Sequence, residues 1–293
     1  MMMNLNDYKL WTAVITPMRE DGSVHYDDLT KVLKDQESAG NGILILGSTG
    51  ESLNLDEDEK VKILEHTLSL GLTTPIMVGV GGINLNQTRK WVDYLETLAV
   101  HSYLLVTPLY AKPGKIGQYE WFKSLLDSST RPCMLYNVPG RTGVKMSFEA
   151  VDMLKDHPQF WAIKEASGST EDFKRYVETA PNALVYSGDD AMLPEYTPLG
   201  AKGLVSVASN VWAKKTNSYV QKALGNKLSE DEKSLWNECS NSLFMASNPI
   251  PVKRLMKIDG QISSDTLRAP LTHKEIEDDS VLRTSHSKIN EWN

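Results

Sequence analysis

A lysine inside an apolar run is the residue whose chemistry the sequence indicates most directly. Lys164 follows Trp161-Ala162-Ile163, so its ammonium group begins within an apolar stretch. A lysine must be neutral to attack a carbonyl carbon, and burial lowers its pKa from about 10.4 toward neutral pH. The adjacent Glu165 is a poor ion-pair partner because successive residues of a strand point to opposite faces. The sequence therefore predicts that Lys164 forms a Schiff base; the alternative is a lysine paired with another carboxylate.

Hydroxyl and guanidinium groups follow other apolar runs. Tyr136 and Tyr110 are phenols that can both donate and accept a proton. Arg141 follows a Pro-Gly pair, where a guanidinium suits bidentate capture of a carboxylate. Thr49 offers a hydroxyl and, with Ser48, backbone N–H groups at the expected start of a helix, which is an anion-binding geometry. The alternatives are packing for Tyr136 and a surface ion pair for Arg141.

Eight short apolar runs, separated by helical patterns, must position these groups. Each is rich in Val, Ile, Leu or Tyr, as is typical of strands buried on both faces of a parallel sheet. They are Val14–Met18, Gly42–Thr49, Pro75–Gly81, Ser102–Pro108, Cys133–Pro139, Phe160–Ser167, Asn182–Asp189 and Gly203–Asn210. Eight βα units in succession predict an α/β fold, the (β/α)8 TIM barrel, whose chemistry gathers at the carboxyl ends of the strands. An open doubly wound sheet is the alternative, but the first run lacks its Gly-rich loop.

The helical patterns divide the chain into two predicted parts. Between the strands we expect seven helices: Tyr26–Ala39, Asp56–Leu70, Asn86–Leu98, Gly117–Asp127, Ser147–Lys155, Thr170–Ala180 and Trp212–Leu224. The strand pattern then stops. We therefore predict a barrel catalytic domain over 1–224 and a C-terminal helical extension over 225–293. Ser229 and Glu232 have capping-box spacing at the start of this extension, Val252–Ile258 reads as a further helix, and Thr272 with Glu275 could open the last one.

Composition excludes several classes of function. The chain has 293 residues, 41% of them hydrophobic, and a formal net charge of −7 with no basic run, which argues against a nucleic-acid or anionic-membrane binder. No stretch of about 18 apolar residues and no signal-peptide pattern occur, so we expect a soluble, cytoplasmic protein. Its two cysteines and six histidines form no metal-binding pattern, so we expect no metal.

Four sequence blocks in combination resemble the dihydrodipicolinate synthase family of the N-acetylneuraminate lyase superfamily. The blocks are Gly47–Glu51, Tyr136–Gly143, Ile163–Gly168 and Ser187–Asp190. The similarity runs over nearly the whole chain and includes Asn248–Lys253 in the predicted extension. The resemblance implies a reaction that condenses pyruvate with L-aspartate 4-semialdehyde in the diaminopimelate route to lysine. It also implies no metal or organic cofactor, and a homotetramer built from tight dimers.

The resemblance further implies a role for each matching residue. Lys164 matches the lysine that forms the Schiff base with pyruvate, and Tyr136 matches the tyrosine that relays protons. Thr49 and Tyr110 match its relay partners, with Tyr110 lent to the site of the neighbouring subunit. The implied substrate-binding residues are Arg141, for the carboxylate of the semialdehyde, with Ser48, Gly188 and Val205.

Two other readings stay open. Sister lyases, such as N-acetylneuraminate lyase or a keto-deoxy-sugar-acid aldolase, share the chemistry of Lys164 and Tyr136 but usually lack an arginine at the place of Arg141. A non-catalytic barrel that binds a keto acid would be expected to have lost a catalytic residue, and Lys164, Tyr136, Thr49 and Tyr110 are all present.

Overall fold

Eight parallel strands form a closed barrel in chain order. The computed structural model describes residues 3–292. The strands β1 to β8 are Leu10–Ala13, Gly42–Ile45, Ile76–Val80, Ser102–Val106, Cys133–Asn137, Phe160–Glu165, Leu184–Ser187 and Leu204–Ser206. The predicted TIM barrel is confirmed. Strands β2 to β8 lie within the predicted runs and are shorter than them, because each run continues into the loop that follows its strand.

Helices follow the strands and form the C-terminal extension. The helices α1 to α12 are Tyr26–Ser38, Glu57–Ser69, Leu85–Leu95, Lys115–Asp127, Pro139–Thr142, Phe148–Leu154, Thr170–Thr179, Leu193–Tyr196, Ala213–Leu224, Glu230–Ser242, Ile250–Ile258 and Ser280–Glu291. The capping box predicted at Ser229 and Glu232 is present at the start of α10, and Asp56 and Glu59 form another at the start of α2. The single-turn helices α5 and α8 were not predicted; each has a proline in its first turn, which the fixed φ of proline favours.

The position predicted for the first strand was wrong. β1 is Leu10–Ala13, whereas the apolar run begins at Val14. Beyond β1 the backbone hydrogen bonds change partner: the N–H of Ile15 donates to the side chain of Asn210 at 3.0 Å, and Pro17 has no N–H to donate. Thr12 interrupts the apolar residues of β1 in the sequence, although its side chain is fully buried, as is that of Trp11.

The start predicted for the last helix was also wrong. Thr272 caps a single 3-10 turn, His273–Glu275, by accepting a hydrogen bond from the backbone N–H of Lys274. The chain then continues without regular structure, and α12 begins only at Ser280. The threonine and glutamate have capping-box spacing, but the turn is not continued by apolar residues at helical spacing.

The chain forms two compact units. One contains the described residues up to Pro75 together with those from Ser206 onward, and the other is Ile76–Val205. In the first unit Trp236 stacks on Tyr219 at 4.3 Å between ring centroids and meets Trp292 edge-on at 5.1 Å. In the second unit β5 and β6 pair so that Tyr136 lies beside Lys164 and Asn137 beside Glu165. The proposed division at residue 225 remains a prediction.

Two kinds of feature are absent from residues 3–292. No helix among them has the length and apolar character needed to cross a membrane. In the same range, no three His, Cys, Asp or Glu side chains are grouped so that they could hold a metal ion. The cytoplasmic location expected from the sequence stays a prediction.

Candidate active site

Lys164 lies near the carboxyl end of β6 with its side chain buried. Strand pairing places Tyr136 on one side of it and Tyr186 on the other. Only 6% of the residue is exposed, and burial lowers the pKa of its ammonium group to about 7. The negative charge of Asp190 opposes this shift and the positive charge of Arg141 adds to it. A substantial fraction of Lys164 is therefore a neutral amine, and hence a nucleophile, at neutral pH.

Two neighbours define the space around the Lys164 side chain. Its Nζ atom lies 4.2 Å from the centroid of the Tyr136 ring. On the other side is Gly188, where an added Cβ would stand 2.9 Å from Lys164 Cε and 2.7 Å from Ala166 Cβ. Any side chain at Gly188 would displace the lysine. Burial raises the pKa of Tyr136 to about 12, so its phenol is protonated at neutral pH and can donate a hydrogen bond to a bound substrate.

Glu165 accepts hydrogen bonds from two neighbouring groups and does not pair with Lys164. Its carboxylate accepts one hydrogen bond from the side-chain amide of Asn137 and one from the N–H of Ser167, both at 2.7 Å. Asn137 in turn accepts from the N–H of Met146 at 2.8 Å. Burial raises the pKa of Glu165. The network joins the ends of β5 and β6 and so fixes the strand ends that carry Tyr136 and Lys164. The sequence did not indicate Asn137, because its partner Glu165 lies on another strand and the two meet only in the folded chain.

Arg141 lies on α5, directly after β5. This helix is a single turn, which Pro139 begins and which Gly143 ends at a φ of 73°. Arg141 is exposed, yet its charge adds to the lowering of the Lys164 pKa and opposes the rise of the Tyr136 pKa. Its guanidinium is thus close enough to interact with an anion held beside these two residues.

Tyr110 and Val205 have opposite surroundings. Tyr110 is 87% exposed and has a φ of 64°, a left-handed conformation that is costly for an aromatic residue. Its N–H donates to the carbonyl of Thr142 at 3.3 Å, which ties its loop to the end of α5. The strained, projecting Tyr110 therefore leaves almost its whole ring available to another molecule. Val205, in contrast, is fully buried within β8.

Thr49 and Ser48 belong to a tight turn after β2, and no helix begins there. A 3-10 turn, Ser52–Asn54, follows, and α2 begins only at Glu57, so the expected helix start was wrong. The turn closes with hydrogen bonds from the N–H of Gly50 to Gly47 and from the N–H of Glu51 to Ser48. Ser48 is exposed, and Thr49 is 4% exposed. The Thr49 hydroxyl oxygen accepts a hydrogen bond of 2.9 Å from the amide of Asn248.

A buried ion pair holds the same turn to the C-terminal extension. Glu51 has a φ of 53°, and its carboxylate binds the ammonium group of Lys253 on α11. Both side chains are fully buried. Lys253 also donates to the carbonyl of Thr266 at 3.0 Å, and Glu51 accepts from the N–H of Arg268 at 3.2 Å. Asn248–Lys253 belongs to the part of the sequence that resembles the family, but nothing in the sequence predicts these contacts.

Comparison with known proteins gives a consistent result over the whole chain. A family model described as the dihydrodipicolinate synthetase family matches residues 7–288. The chain is 47% identical over 292 residues to a 4-hydroxy-tetrahydrodipicolinate synthase of Francisella philomiragia, covering 100% of this chain and 99% of that one. It is 42% identical to a protein of the same name from Wolbachia pipientis, covering 97% of this chain and 96% of that one. A solved structure of the chloride-inhibited dihydrodipicolinate synthase of Acinetobacter baumannii, complexed with pyruvate, is 31% identical with a TM-score of 0.88, covering 97% and 99%.

Proposed function

The chain belongs to the dihydrodipicolinate synthetase family, and from this premise we propose that it is a Schiff-base lyase that condenses pyruvate with L-aspartate 4-semialdehyde. The product is 4-hydroxy-tetrahydrodipicolinate, in the diaminopimelate route to lysine. The names of its relatives and the pyruvate in the Acinetobacter structure support both the reaction and the first substrate.

The reaction begins at Lys164. Its neutral amine attacks the keto carbon of pyruvate, water leaves, and an imine links the lysine to the substrate. Loss of a methyl proton turns the imine into an enamine, whose carbon attacks the aldehyde of the second substrate. The amino group of that substrate then attacks the re-formed imine carbon, which closes the ring and releases the amine of Lys164. Tyr136 transfers the protons, with Thr49 and Tyr110 as its relay partners. The buried phenol of Tyr136 next to Lys164 supports this assignment.

The substrate-binding residues follow the same logic. Arg141 binds the carboxylate of the semialdehyde, supported by its charge acting on both Lys164 and Tyr136. Gly188 lines the pyruvate pocket, where its missing side chain leaves room for the lysine. Ser48 and Val205 are also assigned to substrate binding, because they match substrate-binding positions of the family.

The assembly is part of the proposal. We assign a homotetramer of tight dimers, in which each subunit lends Tyr110 to its neighbour's site. The observation that supports this is the strained Tyr110, which is 87% exposed on the single chain.

The pKa of Lys164, lowered to about 7 by burial, carries the proposal, because it is the property that imine formation requires. The test is reduction by borohydride in the presence of pyruvate, followed by peptide mass mapping. We expect one adduct, on Lys164, that depends on pyruvate. Lys60 is a useful internal control, since its pKa is also lowered by burial although it lies on α2. An adduct on Lys60 alone, or none at all, would refute the assignment.

A further inference from the structure

Two backbone N–H groups in the turn after β2 have no acceptor within the described chain. Among residues 3–292, no carbonyl or side chain accepts a hydrogen bond from the N–H of Ser48 or of Thr49, although Thr49 is only 4% exposed. An unpaired N–H group in a buried residue is rare and costly. Successive N–H groups in a turn form a concavity that suits an anion, and in the proposed function this anion is the carboxylate of pyruvate.

A strained backbone presents these N–H groups. Leu46 and Glu51 lie on either side of them in the sequence, with φ values of 56° and 53°. Both values fall in the left-handed region, which is unfavourable for residues that carry a side chain. The turn therefore keeps this shape only because its surroundings enforce it.

The C-terminal extension supplies such a restraint at Glu51. The Glu51 carboxylate binds the ammonium group of Lys253 on α11, and both side chains are fully buried. Main-chain groups of Thr266 and Arg268 add one hydrogen bond each to the pair. Separating the two charges would leave each one unpaired in an apolar surrounding, so the pair resists any displacement of Glu51.

We propose that Glu51 and Lys253 are positioning residues, whose ion pair holds the N–H groups of Ser48 and Thr49 toward the carboxylate of pyruvate. The C-terminal extension thereby sets how well the first substrate binds. The inference rests on the proposed function, in which Ser48 binds substrate and Lys164 forms the imine. No proton passes through the turn in this role.

A purely structural role for the ion pair makes a different prediction. Loss of folded protein lowers the concentration of active enzyme, and so reduces kcat/KM for both substrates by the same factor. A displaced turn acts mainly on the half-reaction of pyruvate, which binds and forms its enamine before the semialdehyde reacts. The ratio of the two kcat/KM values therefore separates the two roles, whatever fraction of the protein is folded.

The experiment removes the two charges in steps from the full-length protein. Lys253→Met leaves the Glu51 carboxylate buried and unpaired, so we expect a lower unfolding temperature. Glu51→Gln combined with Lys253→Met leaves neither charge, and we expect this double variant to unfold close to the temperature of the unmodified protein. In the double variant, kcat/KM for pyruvate should fall about tenfold, as for one lost hydrogen bond, while that for aspartate semialdehyde changes less than about twofold.

A milder variant and a control keep the test decisive. Glu51→Gln alone retains an oxygen that can accept from Lys253, so it should shift the ratio in the same direction by a smaller factor. Arg254→Met breaks the ion pairs made by the next residue of α11 and should leave the ratio unchanged. An unchanged ratio in both Glu51 variants, whether activity is full or equally reduced for the two substrates, would overturn the inference. Absence of the Lys164 adduct in the unmodified protein would instead refute the proposed function.

Discussion

At the scale of single residues, the surroundings of Lys164 decide its chemistry. Its pKa is lowered from 10.5 to about 7, mainly by burial, while the nearby charges of Asp190 and Arg141 act in opposite directions. The sequence could predict this shift because the lysine follows three apolar residues in a strand. It could not predict Gly188 as the reason why the side chain fits, since the two meet only when β6 and β7 pair.

The lowered pKa predicts how the reaction depends on pH. Imine formation requires the neutral amine, so its rate should rise about tenfold per pH unit below pH 7 and level off above it. The rate can be followed by trapping the pyruvate adduct with borohydride at timed intervals between about pH 5.5 and 9. Circular dichroism at each pH shows that the protein stays folded. A rate that still rose tenfold per unit above pH 8 would show that burial does not set the pKa.

Arg141 should separate the two substrates. Arg141→Ala should sharply reduce kcat/KM for aspartate semialdehyde, by about 100-fold or more for a lost bidentate contact, while imine formation with pyruvate continues. Arg141→Lys keeps the charge without the planar fork and should fall between the two. Steady-state kinetics and borohydride trapping measure the two effects separately. Unchanged use of the semialdehyde by the alanine variant would favour one of the sister lyases.

At the scale of secondary-structure elements, hydrophobic periodicity predicted most elements but not where they end. β5 and β6 begin where their apolar runs begin, because nothing polar interrupts them. β1 was misplaced because its hydrogen bonds pass to the side chain of Asn210, which is distant in sequence. Single turns such as α5 are too short to show any periodicity.

The approach of β7 to β6 gives a prediction for Gly188. Gly188→Ala would place a Cβ 2.9 Å from Lys164 Cε, so the lysine must move and imine formation should slow by at least about tenfold. Gly114→Ala is the matched control, because its Cβ meets no atom within 4 Å and its φ is −72°. Borohydride trapping measures the effect, and thermal unfolding shows whether either variant loses stability. Equal trapping in both variants would contradict the steric argument.

At the scale of the whole molecule, the sequence predicted the barrel and the residues at its strand ends, but not the contacts that fix Thr49. Asn248 lies 199 positions from Thr49, and Lys253 lies 202 positions from Glu51. No spacing rule joins residues so far apart. The sequence around Lys253 predicts only that this lysine is exposed or paired with some carboxylate. The folded chain shows that its partner is Glu51.

The proposed exchange of Tyr110 between subunits can be tested by complementation. Lys164→Met and Tyr110→Phe should each abolish or greatly reduce activity alone. In a mixed dimer, one site would combine the intact Lys164 of one subunit with the intact Tyr110 of the other. One of the two active sites in each mixed dimer should therefore be restored. Activity assays after co-expression and purification of the doubly tagged species measure this. Two inactive proteins that stay inactive when mixed would show that Tyr110 serves its own chain.

The distance along the chain between Thr49 and its amide partner also has a consequence for protein synthesis. Ribosomes add roughly 5 to 20 residues per second. With 199 residues separating Thr49 from Asn248, roughly 10 to 40 seconds pass between their synthesis. Until then the turn after β2 lacks both its hydrogen-bond donor and the ammonium group that pairs with Glu51. The nascent chain can form strands early, but the turn that carries Thr49 reaches its final arrangement only after Asn248 and Lys253 have been synthesised.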